Sequence, residues 1–213
     1  MKSLKPKYIK LTPAERLYQL DKPLVALTGG IATGKSTVTK LLQERGLKII
    51  DADQLVKSIY QFDETKKFIA THYPQVFAHN EIQFPKLREL FFRSTDVKKN
   101  IENFIYDRLP EAFQQATSSI SNQDFYLYDV PLLFEKGLNT KVDLSLVVYA
   151  PEEVQLARLI DRDGSKKEIG KKILEQQMNI EEKKNKADYI IDNSKSLTEL
   201  AAEVDNLLLH ILG

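Results

Sequence analysis

A glycine-rich stretch near residue 30 carries the residue types that bind phosphate. Residues 24–38, LVALTGGIATGKSTV, contain the pattern G-x-x-x-x-G-K-[ST] through Gly29, Gly34, Lys35 and Ser36. Glycines let successive backbone N–H groups point at phosphate oxygens, and the following helix N-terminus adds positive partial charge. Lys35 is expected to reach the β- and γ-phosphates, and the Ser36 hydroxyl to be a ligand of Mg²⁺. The motif predicts a nucleoside triphosphate site.

Three aspartates follow apolar runs at spacings that suit phosphoryl transfer. Asp53 comes eighteen positions after Lys35, room for one helix and one returning strand, so its carboxylate is expected to face the γ-phosphate. There it would accept the proton of an attacking hydroxyl. Asp51 is expected to orient metal-bound water, and Asp129, which follows four apolar residues, to hold Mg²⁺ through water. The alternative is that Asp53 only caps the next helix.

The segment PEEVQLARLIDRDG, residues 151–164, predicts a helix with a basic face. Gln155, Arg158 and Arg162 are spaced to lie on one side of it, opposite an apolar side. Two arginines that project together can stabilise the charge that spreads over a phosphoryl group in the transition state. The alternative is a solvated helix face.

Short apolar runs alternate with helical patterns, which favours an α/β domain whose parallel sheet is covered on both faces. The five predicted strands are residues 24–27, 48–50, 125–128, 144–149 and 189–191. Ligands bind at the carboxyl ends of such strands, where Asp51, Asp53 and Asp129 fall. Phosphate loop and carboxylates are therefore expected at the same edge of the sheet.

Two segments depart from this alternation. Residues 54–122 contain no clear strand, and their apolar residues repeat at helical spacing, so we expect a helical insertion. Residues 1–22 are expected to form an N-terminal extension in which a capping sequence starts a short helix, AERLYQL. The boundaries expected within a 23–213 domain are about 23–53 and 123–213 for the core and about 54–122 for the insertion.

Composition excludes several classes of protein. The 213 residues include 31 Lys and Arg against 30 Asp and Glu, so a net charge of +1 does not suggest a nucleic-acid or membrane-surface binder. The chain has no cysteine, which excludes disulfides, thiol chemistry and cysteine-based zinc sites. No apolar run approaches transmembrane length, and the start MKSLKPKYIK lacks the apolar core of a signal peptide. We therefore expect a cytoplasmic protein.

Five segments together resemble the dephospho-CoA kinase family. They are ALTGGIATGKSTV, GLKIIDADQLV, LYDVPLLFE, VQLARLIDRDG and ADYIIDNS, in the family's order and approximate spacing. The resemblance implies transfer of the ATP γ-phosphate to the ribose 3′-hydroxyl of dephospho-CoA, the last step of coenzyme A synthesis. It implies a P-loop kinase-like three-layer α/β/α fold with a five-stranded parallel sheet, a helical CoA-binding insertion, and a helical lid over about 155–185.

The resemblance also implies roles for individual residues. Asp53 would be the base, with Lys35, Arg158 and Arg162 as the other catalytic residues. The substrate would contact Asp53, Asp129 and Leu132. The residues for Mg²⁺ would be Ser36, Asp51 and Asp129. The expected ATP-binding residues are Gly29, Gly30, Ala32, Thr33, Gly34, Lys35, Ser36, Thr37 and Asn193. The partners implied are ATP and dephospho-CoA, with no nucleic acid or membrane, in a monomer or small homo-oligomer.

The chain departs from the family pattern at four places. An arginine usual in the insertion is replaced within Ile82-Gln83-Phe84, and a usual His-Pro pair is Tyr106-Asp107. Lys172 stands at a position that is commonly Arg, and Lys195 at a common glycine. The first two changes fall in the expected acceptor-binding region, and Lys172 keeps the charge without the bidentate geometry of Arg.

Other functions with the same loop stay open at this point. Residues 161–164 spell D-x-x-G and residues 185–188 spell N-K-x-D, as in GTPase switches, but neither lies at the end of a predicted strand. About twenty residues separate them, too few for a βαβ unit of ~30 or more. Further alternatives are a kinase for another small hydroxyl acceptor, such as a nucleoside monophosphate or a shikimate-like acid, and a phosphate-binding protein without catalysis.

Overall fold

The chain divides into two units in the computed structural model, which describes residues 1–118, 120–164 and 166–213. One unit comprises Met1–Asp51 and Ile120–Gly213, and the other comprises Ala52–Ser119. The expected insertion, about 54–122, corresponds to the second unit. Ser119 in the expected insertion and Ser165 in the expected lid lie outside the described residues.

The described residues form seven strands and ten α-helices, besides short 3₁₀ turns. The strands are β1 Leu24–Gly29, β2 Ile49–Asp51, β3 Phe77–Ala78, β4 Glu81–Ile82, β5 Tyr126–Asp129, β6 Leu144–Tyr149 and β7 Tyr189–Asp192. The helices are α1 Lys35–Glu44, α2 Ala52–Ile59, α3 Asp63–His72, α4 Phe84–Arg93, α5 Thr95–Tyr106, α6 Leu109–Thr117, α7 Glu152–Asp163, α8 Lys167–Leu174, α9 Ile180–Lys186 and α10 Leu197–Ile211.

The first unit is built on a five-stranded parallel sheet in the order β2-β5-β1-β6-β7. All six residues of β1 are buried, as a strand covered on both faces requires. Val25 and Leu27 of β1 belong to one core cluster with Val38 of α1 and Val204 of α10. The predicted α/β fold with five parallel strands is confirmed, and register places Asp129 opposite both Leu27 of β1 and Asp51 of β2.

The second unit is mainly helical, with α2 to α6 and one small hairpin. Strands β3 and β4 pair antiparallel, with Phe77 opposite Ile82. His79 and Asn80 between them both have positive φ, 51° and 61°, as tight two-residue hairpin turns require. The expectation of no strand in this region is therefore wrong, because two-residue strands are too short to leave an alternating pattern in the sequence.

The N-terminal extension belongs to the first unit. Leu4 is buried in the core cluster, and the ammonium group of Lys5 donates to the carbonyls of Leu209 at 2.7 Å and His210 at 3.1 Å, near the C-terminal end of α10. The expected helix AERLYQL is present only as a 3₁₀ turn, Leu17–Gln19. Arg16 in this segment is buried and turned towards Asp143.

Asp143 joins this extension to the sheet. Its fully buried carboxylate accepts hydrogen bonds from Arg16 Nε at 2.7 Å and from the backbone N–H groups of Lys10, Leu11 and Leu24 at 2.8–2.9 Å. Burial alone would raise the pKa of Asp143, but the hydrogen bonds from Arg16, Leu24 and Leu11 outweigh it and lower that pKa. The ionised carboxylate is therefore the form that the fold stabilises.

Replacing Asp143 with Ala should lower the free energy of unfolding by about 3–5 kcal/mol, because it leaves the Arg16 guanidinium buried and unpaired. Since the folded pKa lies below the unfolded value of about 3.9, the stabilisation is present above that pH and is lost as pH falls through the folded pKa. Urea titrations of the wild type and variant at several pH values measure both effects. Asp205→Ala, which removes an exposed ion pair with Arg45, is the control and should cost about 1 kcal/mol or less. Equal losses in the two variants would contradict the assignment.

Candidate active site

The glycine-rich loop lies between β1, which ends at Gly29, and α1, which begins at Lys35. Gly34 has a φ of 87°, in the left-handed region, and a Cβ at this position would overlap the side-chain amide of Asn193. Ala32 is also left-handed, with a φ of 58°. Alternating backbone handedness of this kind produces a concave row of N–H groups that suits an anion.

Side chains from outside the loop fix the direction of its carbonyls. Asn193 Nδ2 donates to the Thr33 carbonyl at 2.7 Å, and Arg158 NH2 donates to the Asn193 carbonyl at 2.8 Å. In a trans peptide the C=O and the next N–H point in opposite directions, so the Gly34 N–H is directed away from Asn193. The expected ATP-binding residues Thr33, Gly34 and Asn193 are therefore brought together by direct contacts.

Lys35 and Asp129 form an ion pair at the carboxyl end of the sheet. Thr39 Oγ1 donates to the second carboxylate oxygen of Asp129 at 3.2 Å. Burial raises the pKa of Asp129, the Lys35 ammonium partly offsets this, and the neighbouring Asp51 raises it further. Lys35 and Asp129, the basic and acidic groups expected near the phosphate, thus meet at the end of β5.

The residues expected to bind Mg²⁺ offer only oxygen atoms as ligands. Asp51 ends β2 and lies opposite Asp129 in the sheet, and Ser36 is an exposed residue in the first turn of α1. Among the described residues, no group of three or more His, Cys, Asp or Glu side chains could hold a metal ion. Two carboxylates and a hydroxyl are the hard ligands that Mg²⁺ prefers, and it commonly completes its octahedron with water and substrate phosphates. The donor set fits that use.

The two arginines of α7 have different surroundings. Arg158 is partly buried beside the loop, where its NH1 also lies 3.5 Å from the Thr33 carbonyl. Arg162 is exposed and paired with its neighbour Asp163 at 2.6 Å. Gln155, expected on the same face, is buried and donates to the Ala150 carbonyl at 2.8 Å. The structure therefore brings Arg158 to the loop and leaves Arg162 at the solvent-facing end of α7.

The remaining predicted residues occupy defined positions. Asp53 is the second residue of α2, directly after β2, and is exposed. Leu132 is an exposed leucine in the turn after β5. A cavity of about 280 Å³ adjoins the loop, and its wall combines a guanidinium, an amide and an ammonium with two leucines: Gly34, Thr37, Arg158, Asn193, Lys195, Leu197 and Leu200. Its size and mixed polarity suit part of a nucleoside.

The GTPase-like motifs do not form a guanine site. Residues 161–164 lie at the C-terminal end of α7 and not at the end of a strand. Asp188 of the N-K-x-D sequence is engaged structurally, because its carboxylate accepts from the Ser145 N–H at 2.8 Å and the Ser145 hydroxyl at 2.7 Å. Lys10 also donates to it at 2.5 Å. The acidic residue that would bind guanine is therefore used to join β6 to the segment before β7.

Sequence reasoning missed three polar residues near the loop. Gln177 Oε1 accepts from the Ile31 N–H at 3.1 Å, and Lys183 contacts both the Gly29 carbonyl and Glu135. The sequence EEKKNKAD around Lys183 is typical of a solvated helix. The sequence contains one indication that Lys183 is buried: it follows the apolar Ile180 by three positions and so lies on the same face of the helix.

Comparison with known proteins gives one consistent family. The family model for dephospho-CoA kinase matches residues 23–199. The dephospho-CoA kinase of Sulfurimonas denitrificans is 38% identical over 191 residues, 88% of this chain and 93% of that protein. The corresponding enzyme of Helicobacter pylori is 37% identical over 195 residues, 90% and 98% of the two chains.

Solved structures agree with the sequence relatives. A Thermus thermophilus protein superposes with a TM-score of 0.76 at 26% identity, covering 90% of this chain and 99% of that one. A dephospho-CoA kinase from Campylobacter jejuni superposes with a TM-score of 0.66 at 29% identity, covering 88% and 96%. Sequence and structure therefore match along nearly the whole chain.

Replacing Gly34 with Ala should abolish measurable nucleotide binding, because the new methyl group meets Asn193 and the backbone is left-handed. Calorimetric titration with ATP measures the effect. Gly137→Ala is the matched control, since Gly137 is also left-handed, with a φ of 64°, but has open space around its Cβ position. The control should lose about 1 kcal/mol of stability and keep its affinity for ATP. Unchanged binding by Gly34→Ala would contradict the role assigned to the loop.

Proposed function

The chain belongs to the dephospho-CoA kinase family, and from this membership we propose how its own residues carry out the reaction. It transfers the γ-phosphate of ATP to the ribose 3′-hydroxyl of dephospho-CoA, giving coenzyme A and ADP. This is the last step of coenzyme A synthesis, and the enzyme is a phosphotransferase with an alcohol acceptor. The observation that carries the function is the family match along nearly the whole chain.

The glycine-rich loop binds the phosphates of ATP in this proposal. Backbone N–H groups of the loop, among them those of Gly30 and Gly34, face the phosphate oxygens, and Lys35 contacts the β- and γ-phosphates as well as Asp129. The nucleoside enters the cavity beside Asn193 and Arg158. Support comes from the outward-held Thr33 carbonyl, the position of Lys35 in the first turn of α1, and the mixed polarity of that cavity.

Asp53 acts as the base that activates the acceptor. Its carboxylate takes the proton of the ribose 3′-hydroxyl as that oxygen forms a bond to the γ-phosphorus. The bond from the γ-phosphorus to the bridging oxygen breaks, and ADP leaves. Support comes from the position of Asp53 two residues beyond Asp51, whose strand ends beside Asp129, and from its exposure. Leu132 and Asp129 are the other residues proposed to contact the acceptor.

Arg158 and Arg162 stabilise the charge on the transferring phosphoryl group. Arg158 already lies at the loop, whereas Arg162 must exchange Asp163 for phosphate when the lid closes. A bound Mg²⁺, served by Ser36, Asp51 and Asp129, would supply neutralisation of the phosphate charge.

The proposed setting is a cytoplasmic monomer or small homo-oligomer with ATP and dephospho-CoA as its small-molecule partners. The consumption of ATP supports the compartment, and a net charge of +1 supports the absence of a nucleic-acid partner. None of the helices within residues 1–118, 120–164 and 166–213 has the length and apolar content needed to span a bilayer.

An acceptor panel tests the function. ADP formation from ATP should be fast with dephospho-CoA and at background level with adenosine, AMP or shikimate, because the acceptor contacts contribute binding energy only for the matching molecule. A coupled assay that follows ADP measures all four. Comparable turnover with AMP or shikimate would favour another P-loop kinase, and GTP hydrolysis without any acceptor would favour a GTPase.

Replacing Asp53 with Asn should lower kcat by ~10²–10⁴ while leaving the affinity for ATP nearly unchanged, because only a general base is lost. Steady-state kinetics and calorimetry separate the two quantities. Asp63→Asn is the matched control: Asp63 is also an exposed aspartate in the first turn of a helix of the same unit. If Asp53 only capped its helix, the two variants would show the same small effects.

A further inference from the structure

Lys183 of α9 is a lysine with no exposed side-chain surface. Its ammonium group lies 3.1 Å from the Gly29 carbonyl, 3.2 Å from the Pro131 carbonyl and 2.7 Å from Glu135 Oε1. A lysine ammonium has three N–H donors, and here three oxygens receive them. Burying a cation is costly unless it is paired and hydrogen-bonded, so this arrangement is tightly specified.

The contact with Gly29 lies at the first peptide of the glycine-rich loop. The Gly29 carbonyl points at Lys183, so the Gly30 N–H points to the opposite side of the same peptide plane. At the other end of the loop, Asn193 holds the Thr33 carbonyl in the corresponding way. A carbonyl oxygen turned inward would repel phosphate, whereas one held outward leaves N–H groups to face it.

The contact with Pro131 connects the loop to the strand that carries Asp129. Pro131 follows Asp129 by two residues, and its carbonyl also accepts from the Thr28 hydroxyl at 3.1 Å. One ammonium group therefore joins the end of β1 to the turn after β5. These are the two segments that position the backbone of the loop and the carboxylate partner of Lys35.

Glu135 supplies the countercharge. Its Oε1 accepts from Lys183 and, at 3.3 Å, from the Met178 N–H, which lies between α8 and α9. Its buried Oε2 has no hydrogen-bond partner within the part of the chain that the structure describes. The carboxylate is thus held mainly by the lysine, and the pair forms a unit with the loop.

We propose that Lys183 is a positioning residue for nucleotide binding: its ammonium group keeps the Gly29 carbonyl out of the phosphate site and fixes the loop against the turn after β5. The proposal rests on the nucleotide site described under the proposed function. Lys183 touches neither ATP nor the acceptor, and it acts through the direction of the Gly29–Gly30 peptide.

The test is nucleotide affinity in Lys183→Met, which keeps an unbranched side chain one atom shorter and removes the charge. ADP and ATP dissociation constants and the KM for ATP should rise about 10- to 100-fold, the range for loss of hydrogen bonds to a charged group. The KM for dephospho-CoA should stay within about twofold, because the Lys183 ammonium group is buried against Gly29, Pro131 and Glu135 and does not contact the acceptor. Lys184→Met is the matched control, because Lys184 is the next residue of α9 but lies over the Tyr149 ring at the surface.

The double variant Lys183→Met/Glu135→Gln separates positioning from stability, because it leaves no unpaired charge in the interior. It should unfold cooperatively, as followed by circular dichroism, and show the same loss of ADP affinity as Lys183→Met. Folded variants with wild-type affinity for ADP would overturn the proposal. Loss of the fold in both variants, with Lys184→Met folded, would assign Lys183 to stability alone and also overturn it. Failure of the wild type to bind ADP would instead contradict the nucleotide site itself.

Discussion

A backbone loop binds phosphate only when its carbonyl groups are turned away from the anion. In this protein that constraint is met by side chains that reach the loop from distant parts of the chain. Asn193 holds the Thr33 carbonyl at one end, and Lys183 holds the Gly29 carbonyl at the other. Since a trans peptide points its N–H opposite to its C=O, fixing the carbonyls also fixes the donors. The direction of the loop's N–H donors therefore depends on these two contacts.

A second feature of the site is an ion pair, between Lys35 and Asp129, to which water has little access. Asp129 is buried at the end of β5, and burial raises its pKa while Lys35 partly offsets the change. A pair of this kind holds Lys35 near the loop before nucleotide arrives. In the proposed reaction a phosphate would be a second anion beside the same ammonium group, so Lys35 would be shared between Asp129 and the phosphate.

A buried ion pair also holds the N-terminal extension to the sheet. Arg16 and Asp143 pair in the interior, and Asp143 in addition accepts three backbone N–H groups. A buried pair with this many hydrogen bonds specifies one geometry, because each unsatisfied donor would cost free energy. The expected helix of the extension is therefore replaced by turns that bring Arg16 inward.

The sequence alone determined the five strands of the parallel sheet, the phosphate loop and the family. These features are local: the spacing of glycines, lysine and serine and the alternation of apolar runs with helical patterns are encoded by neighbours in the chain. It did not determine that Lys183 would be buried, that Arg158 and Arg162 would have different surroundings, or that residues 77–82 would contain a hairpin. The burial of Lys183 and the position of Arg158 depend on contacts between residues far apart in sequence. The hairpin is a local element, and it was missed because two-residue strands leave no alternating pattern. Only the tertiary structure brings the Gly29 carbonyl to a lysine 154 positions away, and no local pattern carries that information.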